Sequence, residues 1–188
     1  MFFEVSEIPK SVEIQRHLTS IHIDNWIKYD VFTSKWWLLL GLILILIIIW
    51  WVLLDKSRLP EILLYVVLAT IMALGIVEYG EELTLWDYPI DIIPVFPPLT
   101  SINLLSLPLI YSLIYQYFTT KKSFAWATII ATTIICFILE PMLVWVNLYQ
   151  LVHWEYYYSL PIDVILALFA RIVLMKILDI TRKYKNVK

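Results

Sequence analysis

The chain has 188 residues, the size of one domain. Hydrophobic residues make up 61% of it and charged residues 16%, against about 45–50% and about 25% in soluble domains, and the mean hydropathy is +0.80, so a water-filled surround is excluded and lipid is the expected solvent. The net charge of −2 gives no basic footprint for nucleic acid, and a single cysteine, Cys136, set in an apolar run, builds neither a disulfide framework nor a cysteine-based zinc site.

Residues 1–35 form an arm of mixed charge. It begins Met-Phe-Phe-Glu, without the basic-then-apolar order of a cleavable signal. Ile14, Leu18 and Ile21 have helical spacing, while Ile23, Trp26 and Ile27 fall on another side. The arm reads either as a short helix lying at the membrane interface or as a loosely ordered extension.

A spanning helix needs about 20 apolar residues, and five runs approach that length. The first, Trp36 to Leu54, is almost pure Leu, Ile and Trp, with paired tryptophans at Trp36-Trp37 and Trp50-Trp51 suited to two interfacial belts. The second goes from Glu61 to Glu78, with Pro60 in the tolerated position at its start. The third goes from Leu99 to Phe118, where Pro108 predicts a kink. The fourth is Ser123 to Trp145 and the fifth Leu160 to Leu178, before a basic tail over 181–188. The expected fold is therefore all-α: a polytopic transmembrane helix bundle of five spans within residues 36–180, preceded by an interfacial helix or arm.

Basic residues orient the spans, because cytoplasmic loops gather Lys and Arg. Nine of the 14 fall on one side: Lys56 and Arg58, Lys121 and Lys122, and those at or after the end of the fifth run. The other side receives four, all in the N-terminal arm. This predicts a cell-membrane protein with its N-terminus outside and its C-terminus in the cytoplasm. No internal repeat divides the chain into the matching halves of a pseudo-symmetric transporter.

Seven ionisable residues are the candidate functional cluster: Glu78, Glu82, Asp87, Asp91, Glu140, Asp163 and Arg171. Glu78 and Glu82 are four apart and share a face if the helix reaches that far. Asp87 and Asp91 lie in a proline-rich loop, 85–98, and form an Asp-x-x-x-Asp pair of the kind that membrane prenyltransferases use to hold magnesium diphosphate. Here the pair is interrupted by a proline and lacks a second motif. The loop is expected to cross the outer surface or dip into the bundle, since its backbone needs polar partners. Glu140 stands in an otherwise apolar stretch, where a carboxylate costs about 2.5–3.5 kcal/mol on insertion scales; it is read either as a coupling acid or as a group reaching interfacial water. With Leu160 as N-cap and Pro161 at the first helical position, Asp163 favours a helix start. Arg171, eight residues on, is about 12 Å from Asp163 along the axis, so it pairs with another helix or snorkels to the inner surface. His17, His22 and His153 form no ligand pattern, and no phosphate loop or nucleophile elbow is present.

The segments Trp86-Asp-Tyr-Pro, Leu113-Ile-Tyr-Gln-Tyr-Phe, Lys122-Ser-Phe, Leu139-Glu-Pro-Met-Leu-Val-Trp-Val-Asn-Leu-Tyr and Tyr158-Ser-Leu-Pro-Ile resemble a family of small polytopic membrane proteins of Gram-positive spore-forming bacteria. That family carries a locus-style label and no assigned activity. The likeness covers roughly 36–180; it implies a membrane location and this order of spans, and no catalytic residues.

Three functional readings follow. The first is a non-enzymatic structural, sensory or interaction component of a bacterial cell membrane, with the lipid bilayer as its surround and a homo-oligomer or another membrane protein as partner. The second is a small ion- or proton-coupled conduit or transporter using Glu140. The third is a metal-dependent lipid or isoprenoid enzyme with an acidic site on its outer face. No nucleic acid and no cofactor is expected, no metal-ligating residues are singled out, and the question of enzyme activity leans to no.

Overall fold

A computed structural model describes residues 9–94 and 102–185, the last by its backbone alone. The expected start of the third run at Leu99, the loop prolines Pro97 and Pro98, the first eight residues and the end of the tail lie outside the described residues.

The chain is all-α. Helix α1 (Lys10–Asn25) continues through a wide π turn, Trp26–Asp30, to a break at Phe32, whose positive φ of 61° ends it. The arm is thus helical, with no residue of α1 buried. Thr33 caps α2 (Ser34–Leu53), its hydroxyl accepting from the Trp36 N–H. A short 3₁₀ turn, Lys56–Arg58, leads to α3 (Leu59–Glu82), with Pro60 in its first turn. Helix α4 (Ile102–Tyr117) follows, then α5 (Lys121–Ile134), capped by Thr120. Helix α5 runs through a π segment, Ile135–Leu139, into α6 (Glu140–Trp145), one 25-residue rod. Last comes α7 (Tyr156–Lys185).

Among the described residues, three helical stretches are long and apolar enough to cross a membrane: Ser34–Leu53, Lys56–Glu82 and Lys121–Trp145. Only 17% of the apolar window of the first is buried, so α2 turns most of its Leu and Ile outward. Such a surface is compatible with insertion in lipid and is far larger than water-soluble domains expose.

The core lies between α3, α4, α5 and α7. Buried positions on α3 are Ile62, Tyr65, Ala69, Ala73, Val77 and Gly80, a stripe at spacings of three and four. Its small residues let neighbouring backbones come close. Tyr65 donates its hydroxyl proton to the Ala167 carbonyl at 3.0 Å, joining α3 to α7. Tyr111 and Thr132 share a 2.9 Å hydrogen bond between α4 and α5. Helix α2 packs chiefly on α4, where Trp50 Nε1 donates to Ser112 Oγ at 2.7 Å.

Two expectations need correction here. Helix α7 starts at Tyr156, not at Leu160. The Tyr-Tyr-Tyr-Ser segment forms its first turn, which places Pro161 inside the helix and Asp163 beyond the N-terminal turn. Asp163 therefore does not cap the helix and is buried in the bundle. The fourth run also holds an unforeseen π turn just before Pro141. A proline has no N–H to give and its ring clashes with the carbonyl four residues back, at Phe137; a widened turn at that point relieves both problems.

The loop after α3 dips back onto the bundle. Strand β1 (Trp86–Asp87) pairs antiparallel with β2 (Gln150–Leu151), which follows α6. This short clasp fixes the ends of α3 and α6 together and presents Trp86 and Tyr88 inward.

Candidate functional site

Glu140 stands where the π segment meets α6, one turn after Cys136, and Asp163 comes from α7. The ligand atoms of Cys136, Glu140 and Asp163 all lie within 4.8 Å of one another, and all three residues are buried. Glu140 is 3% exposed and Asp163 7%. Ser159, one turn before Asp163, hydrogen-bonds to the Glu140 carboxylate, while its own Oγ accepts from Trp154 Nε1 at 2.9 Å. The start of α7 thus supplies the support of the acid pair.

Glu140, Ser159 and Asp163 border a small cavity of about 40 Å³ that Trp86, Tyr88, Asn103 and Tyr149 also line; Cys136 is not in its lining. Tyr88 stacks on Tyr149 with ring centroids 5.2 Å apart and hydrogen-bonds to Asn103. Two atoms that border it have no hydrogen-bond partner: the acceptor Glu140 Oε2 and the donor Trp86 Nε1. No Lys or Arg lines it among the described residues. Two carboxylates this close in an apolar core need a neutralising partner, either protons or a cation.

A second, wider cavity of about 450 Å³ opens between α1 and the β1 loop. Asp30, Glu81, Asp87 and Asp91 all line it. Burial pushes the Asp91 carboxyl up to about 7, and the negative charges of Asp87 and Asp30 add to the rise. Burial likewise raises Asp30. Helix α1 is held over this cavity by Trp26, whose Nε1 donates to the Asp91 carbonyl at 2.9 Å. Tyr88 lines both cavities and stands between them.

The remaining sequence candidates scatter. Helix α3 reaches Glu82, so Glu78 and Glu82 share its face as expected; Glu78 is half-buried with an unpartnered Oε2 and Glu82 is exposed. Glu81, between them, is the residue that reaches the outer cavity. Asp87 is exposed at the rim. Among the described residues, Arg171 pairs with no acid. Its guanidinium donates to the carbonyls of Phe118 at 3.1 Å, Thr120 at 3.2 Å and Thr119, and lies 4.4 Å from the centroid of the Phe124 ring. It fastens the α4–α5 loop at the end of the molecule opposite to Glu140. Arg58 and Glu61 make the ion pair at that same end, N–O 2.7 Å, with the Tyr115 hydroxyl donating to Glu61.

Sequence reasoning missed Cys136, Ser159, Glu81 and Asp30. Counting cysteines set Cys136 aside, since one thiol cannot make a cysteine-only zinc site, yet it can join a mixed one. The signal was the Cys-x-x-x-Glu spacing over 136–140, one helical turn, beside a proline. Comparison with protein-family models, curated proteins and solved structures finds no match to this chain. The expected family likeness lends no residue to the site, and the reading below rests on geometry.

Proposed function

We propose that the chain is a small polytopic membrane protein that takes up a proton or metal cation at Glu140 and Asp163, as an ion-coupled conduit or carrier. One observation carries this reading: both buried carboxylates line a single small cavity whose described lining holds no basic residue. Intramembrane acids that face a bundle interior mark ion and proton pathways. The acidic outer cavity gathers cations, and Tyr88 is the partition they pass to reach the inner one.

In this reading five helices cross the bilayer, α2, α3, α4, the α5–α6 rod and α7. The acid-lined end faces outward with the N-terminus. The end bearing Lys56, Arg58, Lys121, Lys122 and the last turns of α7 is cytoplasmic, as the charge bias favours. Helix α7, at 30 residues, is about 45 Å long against about 30 Å of hydrocarbon. Its last turns stand in the cytoplasm and Arg171 sits toward that interface, a snorkelling position.

The test is flux in proteoliposomes under a proton or divalent-cation gradient. Wild type should carry a flux that falls at least tenfold in Glu140→Gln and in Asp163→Asn and persists in Glu82→Gln. Flux unaltered by Glu140→Gln, or none in wild type, overturns the reading.

A second reading is favoured by the outward apolar face of α2: an interaction subunit whose partner helix covers Leu38, Ile45, Ile48 and Val52. Self-association in bilayers that is lost on placing Trp residues along this face supports it, and a strict monomer counts against it.

A further inference from the structure

The geometry points to a divalent transition-metal ion of the zinc class, bound by Cys136 Sγ, Glu140 and Asp163 at the centre of the bundle. This rests on the reading of Glu140 and Asp163 as a cation site and names the cation.

Three ligand atoms from three side chains lie within 4.8 Å of one another. Around tetrahedral zinc, with Zn–S about 2.3 Å and Zn–O about 2.0–2.2 Å, ligand atoms end roughly 3.3–3.6 Å apart. Closing the site therefore takes a contraction of about 1 Å, within reach of side-chain rotation. The π turn matters here, because it carries Cys136 and Glu140 on one widened helical turn facing Asp163.

Charge and softness select the ion. The Cys136 thiolate and one ionised carboxylate balance a divalent charge, while the second carboxyl keeps its proton and ligates through its carbonyl oxygen. The thiol, which loses its proton to water on binding, favours a borderline metal over magnesium or calcium. Those hard ions take six or more oxygen ligands, and a 40 Å³ cavity walled by Trp86, Tyr88 and Tyr149 has no such set. It has room for one ion and about one or two waters.

Two independent features point to a bound group in this place. Glu140 Oε2 is an acceptor without a partner on a residue only 3% exposed, and Trp86 Nε1 is a donor without a partner on a residue only 7% exposed; both border the same cavity. The metal takes the first, and a water in the fourth coordination position takes a hydrogen bond from the second. Ser159, itself held by Trp154, fixes the other Glu140 oxygen, the kind of outer support that ligating carboxylates carry.

The untagged full-length protein in detergent is stripped with chelator and given zinc or cobalt alone. The expected result is one equivalent of zinc retained through gel filtration in excess magnesium and calcium. Cobalt should give a near-ultraviolet thiolate-to-cobalt band. Cys136→Ser should abolish that band and weaken zinc at least tenfold; Asp163→Asn and Glu140→Gln should weaken zinc similarly, and His17→Ala should change nothing. If the carboxylate variants fail to fold, the cobalt spectrum of wild type against Cys136→Ser decides. No retained zinc, or unaltered affinity in Cys136→Ser, overturns the assignment. Absent zinc binding together with Glu140-dependent proton flux sinks the metal and leaves the conduit; retained zinc without flux does the reverse.

Discussion

At the scale of single residues, the ionisable groups of this chain divide by what surrounds them. Arg171 is a structural cation. Its guanidinium serves three carbonyls of the α4–α5 loop and rests on Phe124, a fork geometry that lysine does not reproduce. Hydrogen bonds to a charged group are worth about 1.5–3 kcal/mol each at best, so Arg171→Met should lower unfolding stability in detergent by about 2–3 kcal/mol, read from thermal or denaturant melts, while metal and proton binding at Glu140 stay as in wild type. A loss of binding with stability intact would assign Arg171 to the site instead. Glu140 and Asp163 are the converse case: little exposed, close to each other and without a basic neighbour. The sequence marked Glu140 by its polarity within an apolar run, and Asp163 as a residue favouring a helix start. It did not reveal that they meet, because their separation of 23 positions is bridged by the β2 turn and by the early start of α7, neither of which has a hydropathy signature.

At the scale of elements, the apolar runs predicted the positions of α2, α3 and the α5–α6 rod closely, since long uninterrupted hydrophobic patterns are the strongest local signal. The details that build the site are local departures from that pattern. The π turn before Pro141 rotates Cys136 and Glu140 into register. The β1–β2 clasp carries Trp86 over the cavity, and its indole lies against Gly80 in the last turn of α3, where there is no Cβ to obstruct it. A Cβ on Gly80 would fall 1.9 Å from Trp86 Cζ2, within a ring that cannot fold away. Gly80→Ala should therefore cost about 1–3 kcal/mol of stability, as overpacking does. It should also displace Trp86, seen as a shift in tryptophan emission that is absent in Gly41→Ala, where the added carbon meets nothing within 4 Å. Unchanged stability and emission in Gly80→Ala would mean that the clasp is not packed in this way.

At the scale of the whole molecule, polarity runs along the bundle axis. One end carries Asp30, Glu81, Asp87 and Asp91 around an open cavity; the other carries Arg58, Arg171 and the loop lysines. Tyr88 separates the outer acids from the inner pair, and Cys136, the one thiol of the chain, has its sulfur within 4.8 Å of that pair and is a native reporter. Replacing the partition with Tyr88→Ala should speed modification of Cys136 by a small cationic thiol reagent, added from the acidic side of a reconstituted bilayer, by at least tenfold. An equal rate in wild type and variant would place the access route elsewhere. The measurement that bears most directly on the acid pair is difference infrared spectroscopy of the protein in lipid as zinc is added or pH is stepped. The account predicts carboxyl bands that change with the cation and disappear together in the Glu140→Gln, Asp163→Asn double variant; bands indifferent to the cation, or persisting in the double variant, would contradict it.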